Sequence, residues 1–233
     1  MNKLQIMKIA RNTGRSLLTE IESKELMKLA GINVNDTKLA ASGEEAISIS
    51  RQIGFPVVLK IASPDVVHKS DAGGVKLNLK TSKQVGKAYD DIMQAITAKY
   101  PQAIIQGISV QKMARPGVEI IIGISTDAQF GPVLMFGLGG IFVEIMKDVS
   151  FRIVPLTRYD AAEMIREIKG YPLFEGYRGQ EPVNLSILEE WLINISDFVE
   201  KNPELQEIDL NPVFAYKDGA LAVDARVILR ANP

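Results

Sequence analysis

The sequence predicts an α+β fold built as two lobes, and three observations carry that prediction. Amphipathic helical stretches stand between runs of strand-like residues. Successive strand candidates are joined by short Gly/Pro connections, which favours antiparallel pairing and groups helices with sheets in α+β lobes. The turn "ARPG", Ala114 to Gly117, marks the best hinge between an N-terminal and a C-terminal lobe, and the lobes are expected over residues 1–110 and 111–233.

Taken in order, "ASGEEAISISRQIGF" opens with a capping box, Ser42 with Glu45 three positions on. It carries Ala46, Ile49 and Ile53 on one face and stops at Gly54. "FPVVLKI" reads as a strand, and "GVKLNLK" as another with Val75, Leu77 and Leu79 alternating. "SKQVGKAYDDIMQAI" is helical, with Val85, Ala88, Tyr89, Ile92 and Ile96 on one face. The strand candidates "AIIQGISVQKM", "GVEIIIGIS", "PVLMFGL" and "FRIVPL" follow. A third amphipathic helix, "NLSILEEWLINISDFV", carries Leu188, Trp191, Leu192, Ile195 and Phe198. "QEIDLNPVFAY" and "ALAVDARVIL" end the chain as strands joined at a "KDG" turn.

Composition excludes several classes. Hydrophobic residues are 46% and charged residues 24% of 233, the balance of an ordinary globular chain. A net charge of −1 argues against nucleic acid as the main partner, since tracking phosphates needs a basic excess. With no cysteine, disulfides, thiolate nucleophiles and cysteine-held zinc are excluded. A single histidine excludes multi-histidine metal sites, so a metal would be held by oxygen: Mg²⁺, Mn²⁺ or Ca²⁺. The N-terminus has no apolar core of signal-peptide length. The most apolar stretch, "AQFGPVLMFGLGGIFV", is too short and too broken to span a bilayer. A soluble, cytoplasmic protein is expected, with no membrane partner.

The chemistry-bearing residues are few. Neither a P-loop nor a G-x-G-x-x-G fingerprint is present. Lys60, at the end of a strand, offers a point charge for phosphates, or is simply a solvated strand-end lysine. Gly73 and Gly74 offer backbone N–H groups to phosphate oxygens, or form a plain turn; Gly139, within "FGLGG", has the same double reading. Asp209 and Asn211, two apart in "EIDLNP", share one face of a strand, opposite Ile208 and Leu210. With Glu144 they are the candidate Mg²⁺ residues, against a plain exposed polar face. His68 lies in the polar loop "SPDVVHKSDAGGV" between Pro64 and the Gly73-Gly74 pair. A lone histidine is more often structural. Loops, however, concentrate functional groups, and Asp65 or Asp71 could orient one ring nitrogen and leave the other as nucleophile.

These segments, in this order, resemble the ATP-grasp β subunits of the ADP-forming acyl-CoA synthetases. The likeness rests on "VVLKIASPDVVHKSDAGGVKLNL", on "VQKMARPGVEIIIGISTDAQFGPVLMFGLGGIFVEIMKDVSFRIVPL" and on "EIDLNPV". The resemblance implies a two-lobed ATP-grasp fold with nucleotide between the lobes. It implies Lys60 and the Gly73-Gly74 loop near the phosphates, Val110, Gln111, Lys112 and Met113 beside the adenine, and Glu119 on the nucleotide. Asp209 and Asn211 match the Mg²⁺ residues, Glu144 assists, and Arg152 neutralises a transferring phosphoryl group. His68 matches a histidine that carries phosphate on a mobile loop. It relays the group between a CoA-binding α subunit, expected in an α2β2 assembly, and Mg-bound ADP or ATP. The overall reaction is acyl-CoA, ADP and phosphate to acid, ATP and CoA. Two other readings stay open: a stand-alone ATP-grasp carboxylate ligase, and a non-catalytic nucleotide-sensing module.

Overall fold

The computed structural model describes residues 2–66, 68–140, 147–176, 179 and 181–230. The chain divides into two compact units, one of residues 35–115 and one of residues 1–34 with 116–233. These units differ from the 1–110 and 111–233 division in two ways. The first unit ends at Arg115, inside the "ARPG" turn, and the N-terminal 34 residues belong with the second unit.

The physical reason lies in two helices that the sequence reading passed over, α1 (Lys3–Asn12) and α2 (Glu20–Leu29). Both open with complete capping boxes, Asn2 with Gln5 and Thr19 with Glu22. Their apolar faces, Ile6, Met7, Ala10, Leu26 and Met27, are buried in the same core as Ile120, Ile122, Leu134 and Leu210. Each buried Ile, Leu or Met side chain among them gains roughly 1.5–3 kcal/mol, so the helices stay with the surface that covers them.

In the 35–115 unit, β1 (Thr37–Ala40), α3 (Gly43–Ile53), β2 (Val57–Ala62), β3 (Val75–Leu79), α4 (Ser82–Lys99) and β4 (Gly107–Lys112) follow in sequence. The strands form one antiparallel sheet in the order β1-β4-β2-β3. Helices α3 and α4 bury Ala46, Ile49, Val85, Ala88, Ile92 and Ile96 against Val57, Leu59, Ile61, Ile108 and Val110. At the start of α3 the Ser42 hydroxyl accepts from Glu45 N–H at 3.2 Å. The Glu45 carboxylate, however, reaches Ala41 N–H at 2.8 Å, so the expected box closes one residue early. The alternation read in "VKLNL" does not hold either. Strand β3 is an edge strand whose pairing register shifts, Asn78 takes a positive φ of 56°, and Leu77 stays 59% exposed.

The other unit holds β5 (Val118–Asp127), β6 (Gly131–Leu138), β7 (Val149–Ile153), α5 (Arg158–Arg166), a 3-10 turn at Tyr171–Leu173, α6 (Leu185–Glu200), β8 (Leu205–Tyr216), β9 (Gly219–Ala222) and β10 (Arg226–Leu229). Its six-stranded antiparallel sheet runs β10-β8-β5-β6-β7, with β9 also on β8. The stretch "ALAVDARVIL" is two strands, β9 and β10, both paired to β8. One face of this sheet is the core, where Leu188, Trp191, Leu192 and Ile195 of α6 are buried with Ile120, Leu134, Ile208 and Val213.

Candidate active site

In the 35–115 unit, strand β2 alternates between two buried faces. Val57, Leu59 and Ile61 enter the hydrophobic core, while Val58 and Lys60 point the other way. Cross-strand register sets Ser109 of β4 opposite Lys60, and Gln111 opposite Val58. All four of these side chains are buried, Lys60 at 6% exposure and Gln111 at 0%. Lys60 is thus in mid-strand on a buried polar face, not a solvated lysine at a strand end. An ammonium in that setting is held by polar partners, because an uncompensated buried charge costs several kcal/mol (~3–5 when one partner is removed).

Of the four residues expected beside an adenine, Val110 belongs to the core and Gln111 to the polar face, where its Oε1 accepts from the Thr37 hydroxyl at 3.1 Å. Lys112 has a different task. Its ammonium donates to the carbonyl oxygens of Gly54 and Phe55 at 2.8 and 2.7 Å, closing the turn between α3 and β2. Met113 continues that contact through its N–H to Pro56 O at 3.0 Å.

The histidine segment leaves β2 at Ser63 and returns into β3 at Val75. Val66 and Ala72 are buried at 2% and 5%, while His68, Ser70 and Asp71 are exposed between them. The turn is closed by its own backbone: Ala72 N–H to His68 O at 3.1 Å, Gly73 N–H to Ser70 O at 3.0 Å and Gly74 N–H to Lys69 O at 2.7 Å. The N–H groups of Gly73 and Gly74 are therefore committed within the segment in this conformation. Gly74 has a packing reason to be glycine, since a Cβ there would stand 2.6 Å from Ile61 Cγ2 and 3.0 Å from Lys69 O. Among the described residues the His68 ring makes no hydrogen bond. Asp65 instead accepts from Ile104 N–H at 2.7 Å, and Asp71 takes part through its carbonyl, which accepts from Lys99 Nζ at 3.1 Å.

In the other unit, β8 presents Asp209 and Asn211 on its exposed face, with Ile208 and Leu210 buried beneath. Gly123 of β5 and Arg226 of β10 stand directly opposite Asp209 on its two neighbouring strands. Desolvation by the surrounding protein pushes the Asp209 carboxyl up from the ordinary carboxylate value; Arg226 pulls it down, and Asp224 and Glu207 push it up again. Glu119 of β5 lies on this same face, opposite Phe214, and accepts Gly139 N–H at its carbonyl at 2.8 Å. Its carboxylate lies over Gly139 and Gly140. Asp209 and Asn211 on β8 and Glu119 on β5 are thus on adjoining strands, and Gly139 directly follows β6, the next strand along. Glu144 lies outside the described residues.

Arg152 does not join them. It pairs in register with Leu134, a core residue, so its side chain leaves β7 on the opposite, helix-bearing face. There it makes two parallel hydrogen bonds to Glu167, at 2.8 and 2.7 Å. The Glu167 hydrogen bonds raise the pKa of the guanidinium, and its charge is neutralised on the side away from Asp209.

The donor set fits a hard cation: one carboxylate and one amide oxygen on one strand face, the kind of partial shell that Mg²⁺ completes with substrate phosphates and water. Among the described residues no three His, Cys, Asp or Glu side chains gather to hold a metal by themselves. No helix among them is long and apolar enough to cross a membrane.

Two antiparallel α+β units, one with a buried lysine and a glycine-bounded loop, the other with an Asp-x-Asn strand, are the parts of an ATP-grasp protein, and residues 9–229 match the ATP-grasp domain family. The chain belongs to that family, among the β subunits of the ADP-forming acetate–CoA ligases. It is 51% identical over 212 residues to "Acetate--CoA ligase [ADP-forming] I subunit beta" of Pyrococcus furiosus, covering 91% of each chain. Among solved structures it is similar to acetyl-coenzyme A synthetase 1 of Ca. Korarchaeum cryptofilum in complex with coenzyme A and Ca-AMPCP. The TM-score is 0.95 at 51% identity, over 98% of this chain and 100% of that one. A second structure of that enzyme, with coenzyme A and Mg-AMPPCP, has its phosphohistidine segment pointing towards the nucleotide binding site. It matches with a TM-score of 0.86 at 48% identity, again over 98% and 100%.

Proposed function

We propose that this chain is the nucleotide-binding, phosphohistidine-bearing subunit of an ADP-forming acyl-CoA synthetase. It would couple acyl-CoA, ADP and phosphate to free acid, ATP and CoA together with a CoA-binding α subunit. The observation that carries the reading is the His68 segment. The chain's one histidine is exposed at the crest of a turn pinned at both ends by buried residues, in a chain 48% identical to one with a phosphohistidine segment.

The chemistry follows from the groups present. In the ATP-forming direction, phosphate on the His68 nitrogen passes to the terminal oxygen of ADP: the N–P bond breaks, an O–P bond forms, and the imidazole recovers its lone pair. In reverse, a neutral ring nitrogen attacks the γ-phosphorus and ADP leaves. Because phosphoryl transfer between nitrogen and oxygen asks mainly for positioning and charge neutralisation, fixed cations and donors carry the catalysis. Lys60, buried on a polar sheet face, supplies a fixed positive charge for phosphate oxygens. Gln111 offers an amide on that face, and Glu119 beside Gly139 takes the nucleotide's polar groups. Asp209 and Asn211 would hold Mg²⁺, which when bound neutralises charge on the polyphosphate. Arg152, tied to Glu167 on the other face, has no part in this reading.

An α2β2 assembly in the cytoplasm is the arrangement we propose, and the "subunit beta" name of the Pyrococcus relative supports a partner chain. The test uses γ-labelled ATP with Mg²⁺, the wild-type chain and His68→Asn, with and without an α subunit. Acid-labile, base-stable label on the wild type alone is expected. Absence of label even with the α subunit present would reject the relay.

A further inference from the structure

With Arg152 tied to Glu167, the sheet face that carries Asp209 and Asn211 still has a guanidinium of its own. Arg226 opens β10 directly opposite Asp209, and the next pair in register, Val227 and Ile208, is buried in the core. Side chains alternate along a strand, so Arg226 and Asp209 share the face away from that core. Both are exposed there. Of the charged groups that act on the Asp209 carboxylate, Arg226 is the cation, against Asp224 and Glu207.

Three features set Arg226 apart from an ordinary surface arginine. The first is a backbone held on both sides. Strand β8 pairs with β10 on one side, and on the other Leu18 N–H donates to Val227 O at 3.0 Å and Leu229 N–H to Ser16 O at 2.9 Å. A side chain on a strand fixed in this way is placed more precisely than one on a loop. The second is that the guanidinium is uncommitted: among the described residues it makes no side-chain hydrogen bond and no ion pair, not even with Asp209. The third is its place beside the proposed Mg²⁺ pair. Two cations on one face repel, and an anion set between them turns that repulsion into attraction for both. The arrangement favours a metal that arrives with phosphate over bare metal.

We infer, on the basis of the phosphoryl transfer proposed above, that Arg226 is a further catalytic residue. Its guanidinium donates N–H groups to the non-bridging oxygens of the phosphoryl group that moves between His68 and ADP. The planar fork matches two such oxygens, and the side chain stays protonated throughout, so it gives up no proton. The bonds broken and formed remain the N–P and O–P bonds, and Arg226 stabilises charge alone. An arginine that merely offset Asp209 would act on every bound nucleotide alike.

The test compares Arg226→Gln and Arg226→Lys with the wild-type chain. Calorimetric titration with Mg-ADP and with the Mg complex of β,γ-methylene ATP reads the contact to the terminal phosphoryl group without turnover. In Arg226→Gln, affinity for the ATP analogue should fall roughly tenfold, the scale of one hydrogen bond to a charged group. Affinity for Mg-ADP should stay within about twofold, because ADP lacks that group. Labelling of His68 from γ-labelled ATP should slow by roughly a hundredfold at saturating nucleotide and Mg²⁺. The α subunit is added if the isolated chain takes no label. Arg226→Lys should recover part of both losses, since it restores the charge without the fork. An equal loss for the two nucleotides, or a labelling rate restored by excess Mg²⁺, reduces Arg226 to a counter-charge for Asp209 and overturns the inference. Unchanged affinity for the analogue, or an unchanged labelling rate, does the same. Should the wild type take no label under any condition, the relay itself fails, and the difference between the two nucleotides decides alone. Arg226→Lys carries the test if Arg226→Gln does not keep the wild-type Tm.

Discussion

Gly139 and Glu119 are in contact closely enough that each dictates the other. The Gly139 N–H donates to the Glu119 carbonyl at 2.8 Å, and a Cβ on Gly139 would lie 2.7 Å from Glu119 Cγ. Gly139→Ala should push the Glu119 side chain off its position at a cost of about 1–3 kcal/mol. Nucleotide affinity should fall with it. Denaturant unfolding and nucleotide titration of the same sample measure the two effects. Unchanged affinity in a destabilised variant would remove Glu119 from the nucleotide site.

Asp209→Asn keeps the shape of the strand face and removes the carboxylate of the Asp209–Asn211 pair. Mg²⁺-dependent labelling of His68 should drop by roughly a hundredfold, the scale on which one lost electrostatic group in a phosphoryl-transfer site is felt. Thermal stability should hold, because the side chain lies on the exposed face. Labelling within a few-fold of wild type would move the cation elsewhere.

Arg152→Gln tests the opposite claim. The guanidinium is spent on Glu167 at the sheet edge, 28% exposed against 43%, and such pairs contribute about 0–1 kcal/mol. Tm should barely change and His68 should still take label. A collapse of labelling would return Arg152 to the site.

The acid limb of stability should depend on Glu22. Burial pushes its carboxyl up, but two hydrogen bonds from Arg15 at 3.0 Å each and one from Thr19 N–H at 2.8 Å outweigh it, and the net shift is downward. A carboxyl held below its unfolded value adds stability that is complete above that value and is lost as pH falls through the lower folded one. Tm followed from neutral to acid pH should therefore fall less steeply in Glu22→Gln across that window, from a lower starting point. Parallel curves for the two proteins would show that the pair contributes nothing to acid sensitivity.

Much of the fold could be read from local pattern, because period-2 and period-3.6 burial is a property of neighbours in sequence. The faces of α3, α4 and α6 and the Asp209–Asn211 alternation are of this kind. The N-terminal helices were open to the same reading, since Asn2 with Gln5 and Thr19 with Glu22 are capping boxes in plain sight. What stayed hidden depends on distant partners. Glu167 lies 15 residues beyond Arg152, and the Ile104 N–H lies 39 beyond Asp65. Nothing near Arg152 in sequence states that it leaves the sheet on the helix side; only its register with Leu134 does.

Because residues 1–34 complete the core that residues 116–233 build, the 35–115 unit is an uninterrupted stretch of chain set inside an interrupted one. During synthesis the inner unit has all its strands once Lys112 has emerged, whereas α1 and α2, made before it, have no sheet to cover until β5 to β10 exist. Residues 1–34, made before the inner unit, are thus buried only after it. Until then Ile6, Met7, Leu26 and Met27 stand as exposed apolar surface beside an inner unit that already has all its strands.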